Sequence, residues 1–426
     1  MRFSDLNSRA RKEAAREEIK PVPAAPEAGP AAPGRDTAEP RFPMPLDAPF
    51  ADFPEPVKTP DSPDAGTPPR PSAAVEPSPA VTPSKRLVSR REQQRKDEAA
   101  VRAAERPFQE LDAEAKEAYS RTVSLSKEFL GQVDQPYVEK YERLLRMAEM
   151  NARTLLENQV LLNYTAYATA DNYLYAHSAN VSILSQAMGQ AMGLDKNVVA
   201  FLGFCAIAHD IGMTEYAGLV NTPGRLSDEE YSEVTRHSEK GAAKIDRLLD
   251  MDHRLKDRAR KVIMQAHERI DGTGYPDRLI NEEIDPLSQI IGIADVYEAM
   301  SHPRQWRPAT HPHLSVKHLI DKEGRGFGSK VVKAIIEVLS IYPPGSLVAL
   351  TSGEIVRVIR SNKGSLTRPV VSVLLDPDFA PAAPRHIDLM EHPLTGIERI
   401  VEGSELAARN PKFSARQELA RWWVDW

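Results

Sequence analysis

The sequence predicts a mainly α protein with a disordered Pro-rich N-terminal region and a small β-rich domain toward its C-terminal end. Three observations carry that prediction. Residues 21–83 hold 19 of the chain's 35 prolines. Apolar residues then recur at helical spacing from about residue 108 to residue 340. Beyond Tyr342 the pattern changes to short β-rich runs, SLVAL, EIVRVIR and PVVSVLL, separated by the turn-like strings TSGE and SNKGSLTRP. A chain of 426 residues is too long for one compact domain, so two or three units are expected.

The first region, residues 1–84, is rich in Pro, Ala, Glu, Asp, Ser and Thr, and cannot bury enough apolar surface to offset the entropy of ordering. It reads as a tether preceded by a short charged segment, Met1 to Lys20, a frayed terminus in preference to a docking peptide for a partner. No apolar signal-peptide core stands at the N-terminus and no run of about 18 apolar residues is found, so no membrane span and a cytoplasmic location are expected. A net charge of -6 argues against a dedicated nucleic-acid binder. The single cysteine, Cys205, excludes an intrachain disulfide and sits in the apolar run FLGFCAIA, where it reads as a packed core thiol.

Residues 85–160 form a helical upstream segment, with two or three helices between about 108 and 165. No heptad runs cleanly across it and Pro136 interrupts it, which favours an upstream half of the following domain over a dimerising stalk. The domain at 161–342 reads as helix after helix. Leu174, Val181, Leu184, Ala187 and Met188 give one helix an apolar face. The next, VVAFLGFCAIAHDIG, is apolar nearly all round and should be buried, with Gly212 ending it. Asn221–Arg225 is a turn, and Ser227 with Glu230 forms a capping box. IDGTGYPDRLINEEID is a long polar loop, followed by a helix from about Pro286 to Met300 and another from Lys330 to Ser340. Residues 343–402 form the small β-rich domain, and 403–426 end in a helix bearing Trp422, Trp423 and Trp426.

Five segments of the central domain each deliver an imidazole or carboxylate, each about 30 residues after the last: His177, then His209 with Asp210, then His237, His267 and Asp295. Burying the adjacent His209 and Asp210 costs several kcal/mol unless they are hydrogen-bonded or hold a metal. One core histidine alone is usually a satisfied polar group. Five segments in register favour a metal site, and imidazole with carboxylate suits borderline ions such as Fe, Mn or Zn. His253, His302, His311, His313, His318, His386 and His392 have no such context and read as surface or structural residues.

The strings YLYAHSANV, HDIG, RHSEKG, HERIDGTGYP and ADVYEAMSHPRQWRP together resemble the HD-GYP domain, a branch of the HD metal-dependent phosphohydrolases associated with hydrolysis of cyclic di-GMP. The resemblance covers roughly residues 165–340 and implies an HD-type helical bundle. It implies metal ligands at His177, His209, Asp210, His237, His267 and Asp295, with Asp210 bridging two divalent ions, Fe or Mn. One ion would be held mainly by His177, His209 and Asp295, the other by His237 and His267. Arg304 and Arg307 would meet substrate phosphates, a task suited to a guanidinium fork. Asp271, Gly274 and Tyr275 would line the mouth of the site on a loop that the family also uses for protein partners. The implied reaction is opening of cyclic di-GMP to pGpG and perhaps on to GMP by metal-bound hydroxide. A homodimer is compatible with this reading.

Three positions depart from the family pattern. Ala266 stands where many members have a second histidine, which removes a ligand from the second ion. Met213 replaces a lysine that reaches a phosphate. Tyr173 stands where a subgroup has a glutamate supporting a third ion. These departures motivate an alternative: a catalytically weakened domain that binds cyclic di-GMP or a protein partner.

Overall fold

The computed structural model describes residues 106–132, 140–169, 172–220, 226–303, 309–362, 364–383, 385–419 and 422–423. The expectations for the tether at 1–84, the Asn221–Arg225 turn, Arg304 and Arg307, and Trp426 lie outside them.

Helix α1 (Phe108–Gly131), α2 (Lys140–Glu157) and the single turn α3 (Leu161–Tyr164) precede a two-residue strand, β1 (Ala168–Thr169). Helix α4 (Tyr173–Ala191) starts where the Asn172 side chain accepts the Leu174 amide at 3.0 Å, capping a donor that has no partner inside the helix. Helix α5 (Lys196–Ala208) starts likewise on Asp195. The two run antiparallel, since Ser182 donates to the Gly203 carbonyl and Gln186 to that of Val199. Gln186 and Gln190, one turn apart, also reach the Ala148 and Ala152 carbonyls of α2. The upstream helices therefore pack on α4 and α5.

Every residue of α5 from Val199 to Ala208 is buried, as its all-round apolar pattern predicts. Phe201, Leu202, Phe204 and Ile207 are at most 1% exposed, each contributing about 1.5–3 kcal/mol. The Cys205 thiol is buried among them, which pushes its pKa up. The stretch Lys196–Tyr216 is, among the described residues, long and apolar enough to cross a membrane, but 83% of it is buried inside the fold, where it forms the core.

Two local expectations are corrected. Helix α5 ends at Ala208, so His209 and Asp210 sit just past its last turn, not inside it. Gly212 does not terminate it; it lies in the 3-10 turn Ile211–Tyr216. A Cβ on Gly212 would come within 2.0 Å of the His237 carbonyl oxygen, so the glycine is there because two backbones touch. After α6 (Ala217–Val220) come α7 (Asp228–Thr235), opened by the Ser227/Glu230 capping box, α8 (His237–Ile245) and α9 (His253–Met264). Then follow α10 (Pro286–Ser301), α11 (Pro312–Asp321) and α12 (Ser329–Leu339).

Strands β2 (Leu347–Leu350), β3 (Ile355–Asn362), β4 (Ser365–Leu375), β5 (His386–Asp388) and β6 (Ile397–Ile400) form an antiparallel sheet in the order β5-β4-β3-β2-β6. Side chains alternate between its faces. Val348, Leu350, Val356, Val358, Val371, Val373 and Ile387 build the sheet's own core. The register places Leu347 beside Arg357, Arg357 beside Ser372 and Ser372 beside His386, a row across four strands on the alternate face. Ser361 donates to the Val338 carbonyl of α12, tying sheet to helices.

The C-terminal residues differ from expectation. Helices α13 (Gly403–Arg409) and α14 (Pro411–Leu419) are followed by β7 (Trp422–Trp423), which pairs parallel with Ala168–Thr169. The paired tryptophans are therefore in a strand and not in the predicted helix. Aromatic residues favour strands, and here a distant partner strand decides the conformation.

Candidate metal centre

The six predicted ligands come together. His177, in the first turns of α4, places Nδ1 2.5 Å from Glu298 Oε2, so it donates there and turns Nε2 inward. His209 donates Nδ1 to the Ala206 carbonyl at 2.8 Å, and His237 donates Nδ1 to that of Val234 at 2.7 Å. A carbonyl can only accept, so each contact assigns the proton to Nδ1 and leaves the Nε2 lone pair facing the centre. His209 Nε2 is buried with no hydrogen-bond partner among the described residues.

Asp210 lies between the imidazoles. Its Oδ2 is 3.4 Å from His177 Nε2, while Oδ1 is 3.2 Å from His237 Nε2, 3.3 Å from His267 Nε2 and 3.5 Å from His209 Nε2. Asp295, on α10, sets Oδ1 3.4 Å from His177 Nε2 and Oδ2 3.5 Å from His267 Nδ1. The His237 and His267 Nε2 atoms are 2.9 Å apart. All six residues are buried except Asp295, which is partly exposed.

Electrostatics make this a site that calls for positive charge. Burial alone would raise the Asp210 carboxyl, but the surrounding imidazoles outweigh it and hold Asp210 well below the usual carboxylate range. Asp295 is held at about 2 by the same contest, burial opposed by His267 and His177. Burial lowers His209 despite both carboxylates. For His267 burial is outweighed by Asp210 and Asp295, which raise it to about 9.

The donor set fits a divalent cation. The Nε2 lone pairs of His177, His209 and His237 converge with two carboxylates held in their ionised form, a set of donors that a cation can satisfy together. Two groups, His177 with His209 and Asp295, and His209 with Asp210 and His267, each bring ligand atoms within 4.8 Å of one another. No cysteine takes part.

The loop after His267 folds over the centre. Tyr275 stacks on His267 at 5.0 Å with an interplanar angle of 9°, and meets His237 edge-on at 6.0 Å. Glu268, 1% exposed, holds this loop by accepting the Asp277 and Leu279 amides at 2.7 and 3.0 Å. A Cβ on Gly274 would lie 2.4 Å from the Arg269 nitrogen, so the loop seats on the chain behind it only with glycine there. Asp271 is exposed, and its Oδ1 accepts the Thr273 amide and hydroxyl, which lowers its pKa. That carboxylate shapes the loop through Thr273. Ala266 and Met213 are both buried, and the Tyr173 ring lies 6.2 Å from that of His177.

A second layer of residues was not foreseen from the sequence. Glu298, 2% exposed, contacts His177 through Oε2 and accepts from Asn180 Nδ2 at 3.1 Å through Oε1. Asn180 Oδ1 accepts the Tyr119 hydroxyl at 2.9 Å. His302, 4% exposed, lies 3.2 Å from Glu298 Oε1 and gives its Nδ1 contact to the Glu298 carbonyl at 2.9 Å. A signal for Glu298 did exist: it stands three residues after Asp295 in an apolar helix, so both carboxylates share a face. Tyr119 on α1 makes the upstream segment part of this framework.

Comparison with known proteins agrees with this architecture. Residues 159–331 match the HD domain, and residues 347–409 match the KOW domain associated with HD domains. The chain is 33% identical over 226 residues to a cyclic di-GMP phosphodiesterase of Pseudomonas aeruginosa, covering 53% of each protein. It is 25% identical over 245 residues to the cyclic di-GMP phosphodiesterase PdeB of Borreliella burgdorferi, covering 57% of this chain and 64% of that relative. The chain thus spans between about half and just under two thirds of the length of these relatives. Among solved structures it is similar to an HDG"Y"P protein from Bdellovibrio bacteriovorus, with 19% identity and a TM-score of 0.46 over 60% of this chain and 80% of that one. Two consecutive segments of the chain thus match an HD domain and a KOW domain associated with it.

Proposed function

We propose that this chain is an HD-GYP-type phosphodiesterase that hydrolyses cyclic di-GMP to pGpG, and on to GMP. The observation that carries the reading is the convergence of four imidazoles and two carboxylates, with three Nδ1 protons committed outward. His177, His209 and Asp295 would hold one divalent ion and His237 and His267 the other, with Asp210 shared between them. Such ions, Fe or Mn, supply Lewis acidity toward a phosphodiester and make water a nucleophile at neutral pH.

The protein's own part is orientation and exclusion of water. Glu298 and the Ala206 and Val234 carbonyls fix three imidazole rings, and the tyrosine of the Gly-Tyr-Pro loop covers His267. Arg304 and Arg307 are proposed to meet the substrate phosphates. The same loop offers a surface to a signalling partner.

Ala266 and Met213 favour a second reading, a binding module with little turnover. Neither buried side chain can ligate a metal as an imidazole would or pair with a phosphate as a lysine would. Chromatography of products after incubating the Mn- or Fe-loaded protein with cyclic di-GMP separates the two. Formation of pGpG or GMP, absent in Asp210→Ala, supports the enzyme; unchanged nucleotide with metal bound supports the module.

A further inference from the structure

The Tyr119 hydroxyl reaches toward the metal centre from outside the segment that carries the ligands. Helix α1 (Phe108–Gly131) ends well before residue 159, where the match to the HD domain begins. Tyr119 is fully buried on that helix, and its hydroxyl donates to Asn180 Oδ1 at 2.9 Å. The other end of the amide settles the direction of that bond. Asn180 Nδ2 lies 3.0 Å from the Tyr167 carbonyl and 3.1 Å from Glu298 Oε1. A carbonyl only accepts, so the amide nitrogen faces Tyr167 and Glu298 and the amide oxygen faces Tyr119. Burial, with the Glu298 charge nearby, pushes the Tyr119 phenol well above its ordinary pKa, so it keeps the proton that it donates.

We propose that Tyr119 is a positioning residue for the metal centre. Through Asn180 and Glu298 its hydroxyl sets the orientation of His177, so the hold on the ion assigned to His177, His209 and Asp295 depends on a helix outside the HD segment. The inference rests on the metal-centre reading. Asn180 and His177 stand three residues apart on α4, share a face, and meet the same carboxylate, one at each oxygen. A carboxylate is planar and rigid, so the group that holds Oε1 also aims Oε2, which is the atom that His177 Nδ1 meets at 2.5 Å. Tyr119, Asn180, Glu298 and His177 are all at most 2% exposed, so bulk water is a poor substitute for a lost partner. Without the hydroxyl, Asn180 Oδ1 loses its donor in a buried place, which is costly, and the amide torsion is soft enough to turn in response. Packing is the other role open to this residue, since its ring lies 5.7 Å from that of Tyr164 and 6.2 Å from that of Tyr167. Phenylalanine keeps that ring packing and removes only the hydroxyl.

The test measures Mn²⁺ affinity of the full-length protein by chelator competition, with the visible spectrum of the Co²⁺-loaded form as a second readout. In Tyr119→Phe, affinity should fall roughly three- to tenfold, short of the fall of about 10–100-fold typical of a residue that touches the ligand itself. The Co²⁺ spectrum should shift with it. Placed on top of Glu298→Gln, Tyr119→Phe should cost no further affinity, because both act through one carboxylate. Tyr164→Phe is the control: its hydroxyl lies in the same ring cluster but goes to Asp112 Oδ1 at 2.9 Å. Whatever that variant does to stability, both metal readouts should stay at their wild-type values. Thermal midpoints check folding; if Tyr119→Phe does not fold, Asn180→Ala breaks the same connection and the same fall is expected. Unchanged affinity and spectrum in the folded variant, an equal fall in Tyr164→Phe, or full additivity with Glu298→Gln would each overturn the proposal. Failure of the wild-type protein to bind either ion would overturn the metal-centre reading itself, and shows before any variant is made.

Discussion

The metal centre and the inner face of the KOW-type sheet bury polar groups in opposite ways. At the centre most polar atoms are committed: His177, His209 and His237 each give their outer nitrogen a named acceptor, and the acceptor Glu298 is itself held by Asn180. The inward Nε2 of His209 has no hydrogen-bond partner among the described residues. On the sheet, Arg357 and Ser372 are half-buried, His386 is exposed, and all three border open volume. A preorganised site pays its ordering cost during folding, so ligand binding need not, and the centre is the region built that way.

The largest way to break this contrast is Asp210→Ala. It removes the carboxylate facing four imidazoles, and loss of bound metal and of phosphodiesterase activity is expected, measured by metal analysis after gel filtration and by product chromatography. Retention of full metal content and turnover would contradict the assignment of the centre. Leu350→Ala empties a fully buried position of the sheet core and should cost about 2–5 kcal/mol of stability. Denaturant unfolding would read that loss, and metal affinity should not move with it. A parallel fall in metal affinity would mean that the sheet and the centre form one cooperative unit.

Glu298→Gln tests the outer layer alone. It keeps the shape but removes the charge that His177 Nδ1 meets, so metal affinity should fall roughly 10–100-fold, with the helical fold retained by circular dichroism. An unchanged affinity would leave Glu298 as a packing residue only. The smallest effect belongs to Asn172→Ala, which removes the N-terminal cap of α4 shortly before His177. About 1 kcal/mol of stability is expected to go, read as a lowered thermal midpoint. A loss well beyond that would show that the cap also sets the position of His177.

Much of this was readable from residue order. The apolar run of α5 announces a buried helix because no face of it is polar, and Ser227 with Glu230 announces a helix start because the two side chains meet backbone amides locally. The candidate ligands were legible because five separate segments each deliver an imidazole or carboxylate at a regular interval. Glu298, Asn180 and Tyr119 were not, because their partners are 118 and 61 residues away in sequence. Gly212 was misread for a related reason. Helix-ending glycines act through their own backbone, whereas this one answers to the approach of His237.

By itself, then, the sequence determined the periods and the chemistry: where helices and strands form, which side chains can ligate a cation, and which stretch must be core. Those are local properties, governed by backbone preference and by side-chain alternation. Tertiary structure decided what depends on distant segments meeting. It paired Trp422–Trp423 with Ala168–Thr169, gave His177 its carboxylate, and lined Arg357, Ser372 and His386 up across neighbouring strands. A side chain's role follows from the atoms within a few ångströms of it, and only the folded chain supplies those.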